Sequence, residues 1–247
     1  ILPSLRRSEI TVKGQLTAYS DEQIKDFAKS APDTLSAEEL LYAATMTEDL
    51  DEKMTIYSTY SKLHTDDWRG PNNMGYIYAM QGNMEKAKAE FDKANSLSPN
   101  NPVINNNLGV YERANGNNEK AMEMYSAATA AGEAVGNNIG YLNMIQGDYV
   151  SAVSNYGSVK SFNAALAQTL NKDYTTALQT IDASEAANTA AGSYLKAVIG
   201  ARMKDSAMMV SNLKAAIAAD ASLKAKAKKD AEFTDYRENA EFQAAVN

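Results

Sequence analysis

Two Ser-x-x-Lys spacings, Ser193-Tyr-Leu-Lys196 and Ser211-Asn-Leu-Lys214, are the nearest this chain comes to a catalytic motif. Serine acyl-transfer enzymes place a lysine one helical turn from the nucleophile but also need Ser-Asp-Asn and Lys-Thr-Gly elements. Neither tripeptide occurs here, and in a chain this rich in Ser and Lys such pairs arise by chance. Cysteine is absent, which excludes disulfides, thiolate zinc sites and cysteine nucleophiles. His64 is the single histidine, one ligand where a zinc site needs several. Lying past a helix end beside Asp66 and Asp67, it reads as a solvated residue that interacts with the helix dipole. Glu48, Asp49, Asp51 and Glu52 cluster at a turn and a helix start, lack the EF-hand spacing, and suit the positive end of that dipole. No glycine-rich phosphate loop is present; Gly132, Gly136 and Gly140, four residues apart, form a small-residue stripe for close packing. The run Lys224, Lys226, Lys228 and Lys229 reads as the wet face of an end helix. The expectation is a non-enzymatic protein with no metal and no cofactor.

One constellation does carry recognition chemistry. Asn73, Asn107, Asn138 and Asn163 each stand two residues before a small Gly or Ala, and Asn72, Asn106 and Asn137 precede the first three of them. An Asn side chain holds both a donor and an acceptor, so a ladder of them bonds an extended peptide backbone without demanding particular side chains. The alternative is that they bond only the neighbouring backbone.

The register of those asparagines belongs to an internal repeat. Gly75, Gly82, Ala87, Phe91 and Ala94 recur 34 residues later as Gly109, Gly116, Ala121, Tyr125 and Ala128. After a further 31 they recur as Gly140, Gly147, Ala152, Tyr156 and Val159. Fainter copies follow at steps of 25 (Ala165, Lys172, Ala177, Ile181, Ser184) and 32 (Ala197, Lys204, Leu213, Ala216). Each unit reads as two helices: the first stops at a glycine suited to a left-handed turn, and an Asn- or Asp-rich turn starts the second. Small residues let the two helices approach, and an aromatic four residues beyond the second small one fills the space toward the next pair. The short step predicts a clipped second helix ending at Gly157.

Residues 68–101 resemble the tetratricopeptide repeat, matching its small eighth position (Gly75), eleventh aromatic (Tyr78), Ala87, Phe91, Ala94 and Pro99. Residues 102–132 carry Glu112, and 133–158 Asn143, where the eleventh aromatic belongs. The resemblance implies an all-α, right-handed solenoid of five or six hairpins over residues 36–220. It also puts the asparagine slots on the concave face with Arg69, Tyr76, Val110, Arg113, Tyr141 and Met144. The implied peptide-binding groove is thus Asn72, Asn73, Tyr76, Asn106, Asn107, Arg113, Asn137, Asn138, Tyr141 and Asn163. Some members clamp carboxylates with lysines, and Asn72 stands where such a lysine would be.

Around the array, Ser36-Ala-Glu-Glu39 forms a capping box opening a helix to Thr47, and Asp51–Leu63 reads as its partner. Residues 1–35 read as a linker, with a short strand over 8–14 and a helix from Ser20 to Lys29; helices over 223–230 and 233–246 cap the far end. Twenty-four Lys plus Arg against 31 Asp plus Glu give a net charge of −7, unfavourable for nucleic acid. No stretch is long and apolar enough for a membrane span. The chain starts at Ile1 without a leader and reads as a processed or truncated product. Arg7-Ser-Glu-Ile-Thr-Val, Leu40-Leu-Tyr-Ala-Ala, Asn163-Ala-Ala-Leu-Ala and Asp230-Ala-Glu-Phe resemble the C-terminal repeat region of large bacterial envelope lipoproteins, implying the periplasm or outer membrane of a Gram-negative bacterium. The expected function is a scaffold binding a protein or peptide in its groove. The alternative is a spacer, its concave face filled by residues 1–35 or by the C-terminal helices.

Overall fold

The computed structural model describes residues 19–247, and over these the protein is all-α. The strand expected over 8–14 lies outside the described residues. The chain divides at Pro99/Asn100 into two compact units. The first holds α1 (Asp21–Ser30), the pair α2 (Ala37–Thr45) and α3 (Leu50–Leu63), and the pair α4 (Arg69–Met80) and α5 (Met84–Leu97). The second holds four hairpins: α6 (Pro102–Ala114) with α7 (Asn118–Ala127), α8 (Glu133–Ile145) with α9 (Tyr149–Tyr156), α10 (Phe162–Leu170) with α11 (Tyr174–Asp182), and α12 (Ala190–Arg202) with α13 (Ser206–Ala219). It ends in α14 (Leu223–Lys229) and α15 (Ala240–Val246). The capping boxes at Ser20 and Ser36 both form, Gln23 and Glu39 returning the bond to the cap backbone. The helix expected over 233–246 is a correction: a 3-10 turn at Ala231–Tyr236 precedes α15, which Asn239 starts afresh by accepting from two N–H groups.

The same turn joins the helices in five hairpins. At Gly82, Gly116 and Gly147 the backbone φ is 77°, 80° and 85°, and the N–H of the next residue closes onto a carbonyl five residues back (Asn83 to Tyr78, Asn117 to Glu112, Asp148 to Asn143). The fainter copies keep this turn with a lysine in place of glycine: Lys172 has φ 67° and Lys204 φ 61°, and Asp173 and Asp205 make the matching bonds to Gln168 and Gly200. An L-residue in this region costs about 1–2 kcal/mol through its Cβ, so the surrounding turn overrides the local preference. As the short step requires, α9 has 8 residues where α5 has 14, and Gly157 stops it at φ 54°.

Inside each hairpin a small residue meets a ring. A Cβ on Gly75 would come within 2.6 Å of the Phe91 ring, one on Gly109 within 2.5 Å of Tyr125, and one on Gly140 within 3.1 Å of Tyr156. Ala87, Phe91, Ala121, Tyr125, Ala152 and Tyr156 are all buried. Where the glycine becomes Ala165 or Ala197, the opposing side chain is Ile181 or Leu213, in the same apolar clusters. Successive clusters of the second unit share residues: Tyr141 packs on two of them and Leu166 on two.

Two outcomes follow. Gly109→Ala should lower stability by about 1–3 kcal/mol through overpacking, and Gly140→Ala by less; denaturant titration giving the reverse order would contradict this register. Lys172→Gly and Lys204→Gly should each raise stability by up to about 1 kcal/mol; an unchanged or lower denaturation midpoint for both would show that the turn is not strained.

Candidate functional site

In the first unit the expected groove residues part company. Tyr76 is 51% exposed on α4, but Asn72 is only 4% exposed, which corrects its assignment to an open surface. It lies among Gly70, Pro71 and Gly75 on the inward side of the first turns of α4, and its amide donates to Asn73 Oδ1 at 3.2 Å. Arg69 is not a groove residue either. Its Nε and Nη2 grip Asp67, the latter at 2.7 Å, and its Nη1 reaches Glu38 Oε1 at 2.7 Å, while the Tyr60 hydroxyl donates to Asp67 at 2.6 Å. This network joins α2, α3 and the start of α4. The Arg69 hydrogen bonds hold the Asp67 carboxyl at about 2, against the opposing effect of burial and with further help from Tyr60. His64 is half-buried, its ring tilted 46° against the Tyr60 ring with centroids 4.7 Å apart, instead of standing in solvent.

The second unit brings the predicted residues together. Asn138 Nδ2 on α8 donates to Asn106 Oδ1 on α6 at 2.9 Å, and the Asn106 amide approaches Asn107 Oδ1 at 3.4 Å. Two helical turns further along α6, the Arg113 guanidinium sits 5.1 Å from the centroid of the Tyr141 ring on α8. Asn106–Asn138 and Arg113–Tyr141 are therefore two rungs between the first helices of adjacent hairpins. Asn137, one turn before Tyr141, has its Oδ1 buried without a partner. Asn163, at the start of α10, is exposed and makes no side-chain bond. Glu112, in the slot where the repeat wants an aromatic, is buried and turned into the hairpin, where Asn117 donates to it at 2.8 Å and Lys120 lies 3.4 Å away.

Tyr141 and Leu166 pack on one apolar cluster, and Leu166 also lines a feature that sequence reading missed. A cavity of about 530 Å³, within the usual size of ligand pockets, is walled by Phe162, Leu166, Leu170, Tyr194, Val198 and Leu223. Residues beyond α13 close its far side. Tyr194 donates to Asp230 Oδ2 at 2.7 Å, Arg202 donates to Glu232 through Nε at 2.8 Å and Nη2 at 2.6 Å, and Lys226 Nζ lies 4.7 Å from the centroid of the Tyr194 ring. Hydrogen bonding to Glu232 raises the already high Arg202 pKa, so the guanidinium stays charged. The sequence signal is the apolar spacing of Phe162, Leu166 and Leu170 on α10.

The family profile of the tetratricopeptide repeat matches residues 72–101. No curated protein matches the chain by sequence. Among solved structures, the chain is similar to the APC/C hetero-tetramer Cut9–Hcn1, with TM-score 0.68 and 15% identity over 92% of this chain and 46% of that one. It thus spans less than half the length of that structure. It is similar to PilF of Pseudomonas aeruginosa, with TM-score 0.60 and 12% identity over 88% of this chain and 98% of that one. It is also similar to PilW, a widely conserved type IV pilus biogenesis factor, with TM-score 0.59 and 15% identity over 92% and 98% of the two chains. The fold is the tetratricopeptide-repeat fold. No helix among the described residues is long and apolar enough to cross a membrane.

The Asp67 network has a pH signature. Because the folded pKa lies below the ordinary 3.8, the stabilisation is complete above pH 3.8 and is lost as pH falls toward 2. It should amount to about 1–2 kcal/mol after allowance for its partial exposure. Urea titrations between pH 5 and pH 2 should show a drop that Asp67→Asn, already destabilised at pH 5, lacks; equal slopes in the two proteins would contradict it.

Proposed function

We propose that this chain is a non-enzymatic scaffold that holds an extended or helical protein segment along the second unit, on the face formed by α6, α8, α10 and α12. One observation carries the reading: side chains join the first helices of adjoining hairpins at Asn106–Asn138 and Arg113–Tyr141, Tyr141 and Leu166 pack on one apolar cluster, and Leu166 also lines the cavity with Tyr194. The first part of that face offers amide donors and acceptors to a backbone, and the last offers an apolar recess for one or two side chains. This is the combination that peptide-binding surfaces use for affinity and specificity. Asn107 and Asn163 belong to the same proposal as flanking contacts, and Asn73 and Tyr76 present the corresponding groups on α4 of the first unit. The four sequence strings resembling envelope lipoproteins support a periplasmic or outer-membrane setting in a Gram-negative bacterium, and the similarity to a pilus biogenesis factor accords with it.

A second reading, an intramolecular packing module, draws on the way residues 223–232 wall the cavity through Leu223, Lys226, Asp230 and Glu232. A random dodecapeptide library panned on the intact chain separates the two. The scaffold reading expects binders whose amide chemical-shift changes fall on α6, α8, α10 and α12. The double change Asn106→Ala and Asn138→Ala should then weaken them by about five- to a hundredfold, from about 0.5–1.5 kcal/mol per lost bond. Binders mapping elsewhere, or none at all, would favour the packing module.

A further inference from the structure

We infer that the recess beside Tyr194 is a binding site in its own right for an uncharged, hydrocarbon-rich small molecule, which enters past Ala191 and lies along α10. The inference goes beyond the scaffold reading and does not rest on it: it concerns what fills the recess, not what lies on the face outside.

Apolar side chains without enough protein to cover them are the first sign. Phe162, Leu166 and Leu170 stand about one helical turn apart on α10, and all three are only half-buried where they line the cavity of about 530 Å³. Phe162 and Leu166 rest on the cluster of Ala165, Ile181, Leu195 and Ile199, which leaves their other sides to the cavity. Packing does not close this space, because its far wall is tied elsewhere. The segment beyond α14 is fixed to α12 by Tyr194 with Asp230, by Arg202 with Glu232, and by the Tyr236 hydroxyl, which donates to the Ala201 carbonyl at 3.1 Å. Phe233, 0% exposed, anchors it further in the cluster of Tyr194, Ala201 and Met209. These ties set where Leu223 stands. Voids larger than a water are few in packed interiors, and one of this volume has the size of a preformed ligand site.

The walls also specify the chemistry of the guest. Their inner polar groups are already bonded to one another. Glu232 accepts from Arg202 with both oxygens, and Asp230 accepts from the Tyr194 hydroxyl and from the Glu232 N–H. Thr169 gives its hydroxyl to the Ala165 carbonyl, and its own carbonyl accepts from Arg202 Nη1. Charge is balanced in the same way: Arg202 faces Glu232, and Lys226 lies over the ring whose hydroxyl meets Asp230. A polar or charged atom carried inside would lose its water and find its partners taken, whereas a hydrocarbon gains by burying its own surface and that of the α10 side chains. Water is disfavoured there for the same lack of partners. The exposed members of the lining, Ala191, Asp220 and Lys226, mark the mouth, where a terminal hydroxyl of the guest stays hydrated.

The test uses the intact chain with labelled leucine and valine methyl groups, and 1-octanol as the probe. Octanol should bind saturably, with shifts on Leu166, Leu170, Val198 and Leu223 and none on Leu40 or Leu142, which lie in other clusters. 1,8-Octanediol, whose second hydroxyl would be buried where partners are already taken, should bind about tenfold more weakly or worse. Ala191→Trp at the mouth and Val198→Phe in the wall both reduce the space; at least one should weaken octanol about tenfold, with the Leu142 methyls reporting that the variant is folded. Non-saturating shifts, shifts that reach Leu142, equal binding of the diol, or normal binding in both variants would overturn the inference. N-acetylleucinamide binding as tightly as octanol would overturn it too, by showing that the recess takes a peptide side chain; that outcome leaves the scaffold reading intact. Saturable octanol binding with no library peptide on the face would support the site and count against the scaffold.

Discussion

The contact of a residue without a side chain against a flat ring is the constraint on which the rest of the second unit depends. With no Cβ at Gly109 or Gly140, the Tyr125 and Tyr156 rings come so close to the opposing helix that a methyl group would collide at Gly109 and be crowded at Gly140. That approach sets the distance between the helices of a hairpin, and hence the position of the next hairpin. The pairing tolerates exchange only when volume is conserved, as in the alanine-with-isoleucine and alanine-with-leucine pairs of the later hairpins. The same contact buries the Tyr125 and Tyr156 side chains, hydroxyls included, between the two helices of their hairpins.

Charge is handled in two ways. At Arg69 and Arg202 the planar guanidinium ties together elements that short-range packing alone would leave loosely joined: the beginning of α4 to α2 and the preceding loop, and the end of α12 to the 3-10 turn. These pairs involve partly shielded groups with several bonds each, so they are worth more than isolated surface pairs. Arg113 stands at the same depth but is held by an aromatic ring, which offers attraction without neutralisation.

Much of the fold was legible in the residues because its signals are local and repeat. Gly82, Gly116 and Gly147 mark turns by conformational need, and Ser20 and Ser36 mark helix starts by bonds to residues three positions on. Even Lys172 and Lys204, read only as faint landmarks, occupy the left-handed turn. The Phe233–Val246 stretch was misread because Asn239 interrupts a periodic apolar pattern with a cap. The candidate site was half legible. Register identified Asn106, Asn138, Arg113 and Tyr141, whose partners sit one repeat away. It failed at Asn72, because the same slot near a helix start can point inward when Gly70 and Gly75 draw that helix close to its neighbours. It also missed the cavity, because Leu223, Asp230 and Glu232 reach it only through the return of the chain beyond α13, a long-range fact that no periodicity encodes.

Buried groups without a partner bear on the choice between scaffold and spacer. A module whose task was only to pack would be most stable with apolar or mutually satisfied side chains where hairpins adjoin, as the neighbouring alanine, isoleucine and leucine pairs are. Each buried polar atom left without a partner costs about 1–3 kcal/mol, comparable with what a whole hairpin contact contributes. Asn137 Oδ1 and the Tyr156 hydroxyl place such costs on the hairpin of α8 and α9, while the buried Glu112 of the preceding hairpin is supplied with donors by Asn117 and Lys120. Chain constraints do not force the second of these, since Phe91 fills the position of Tyr156 in the first unit. Unpartnered buried atoms also occur at His64, Glu90, Gln168 and Thr180, so what distinguishes this face is the pairing of side chains between the first helices of adjoining hairpins, Asn106 with Asn138 and Arg113 with Tyr141.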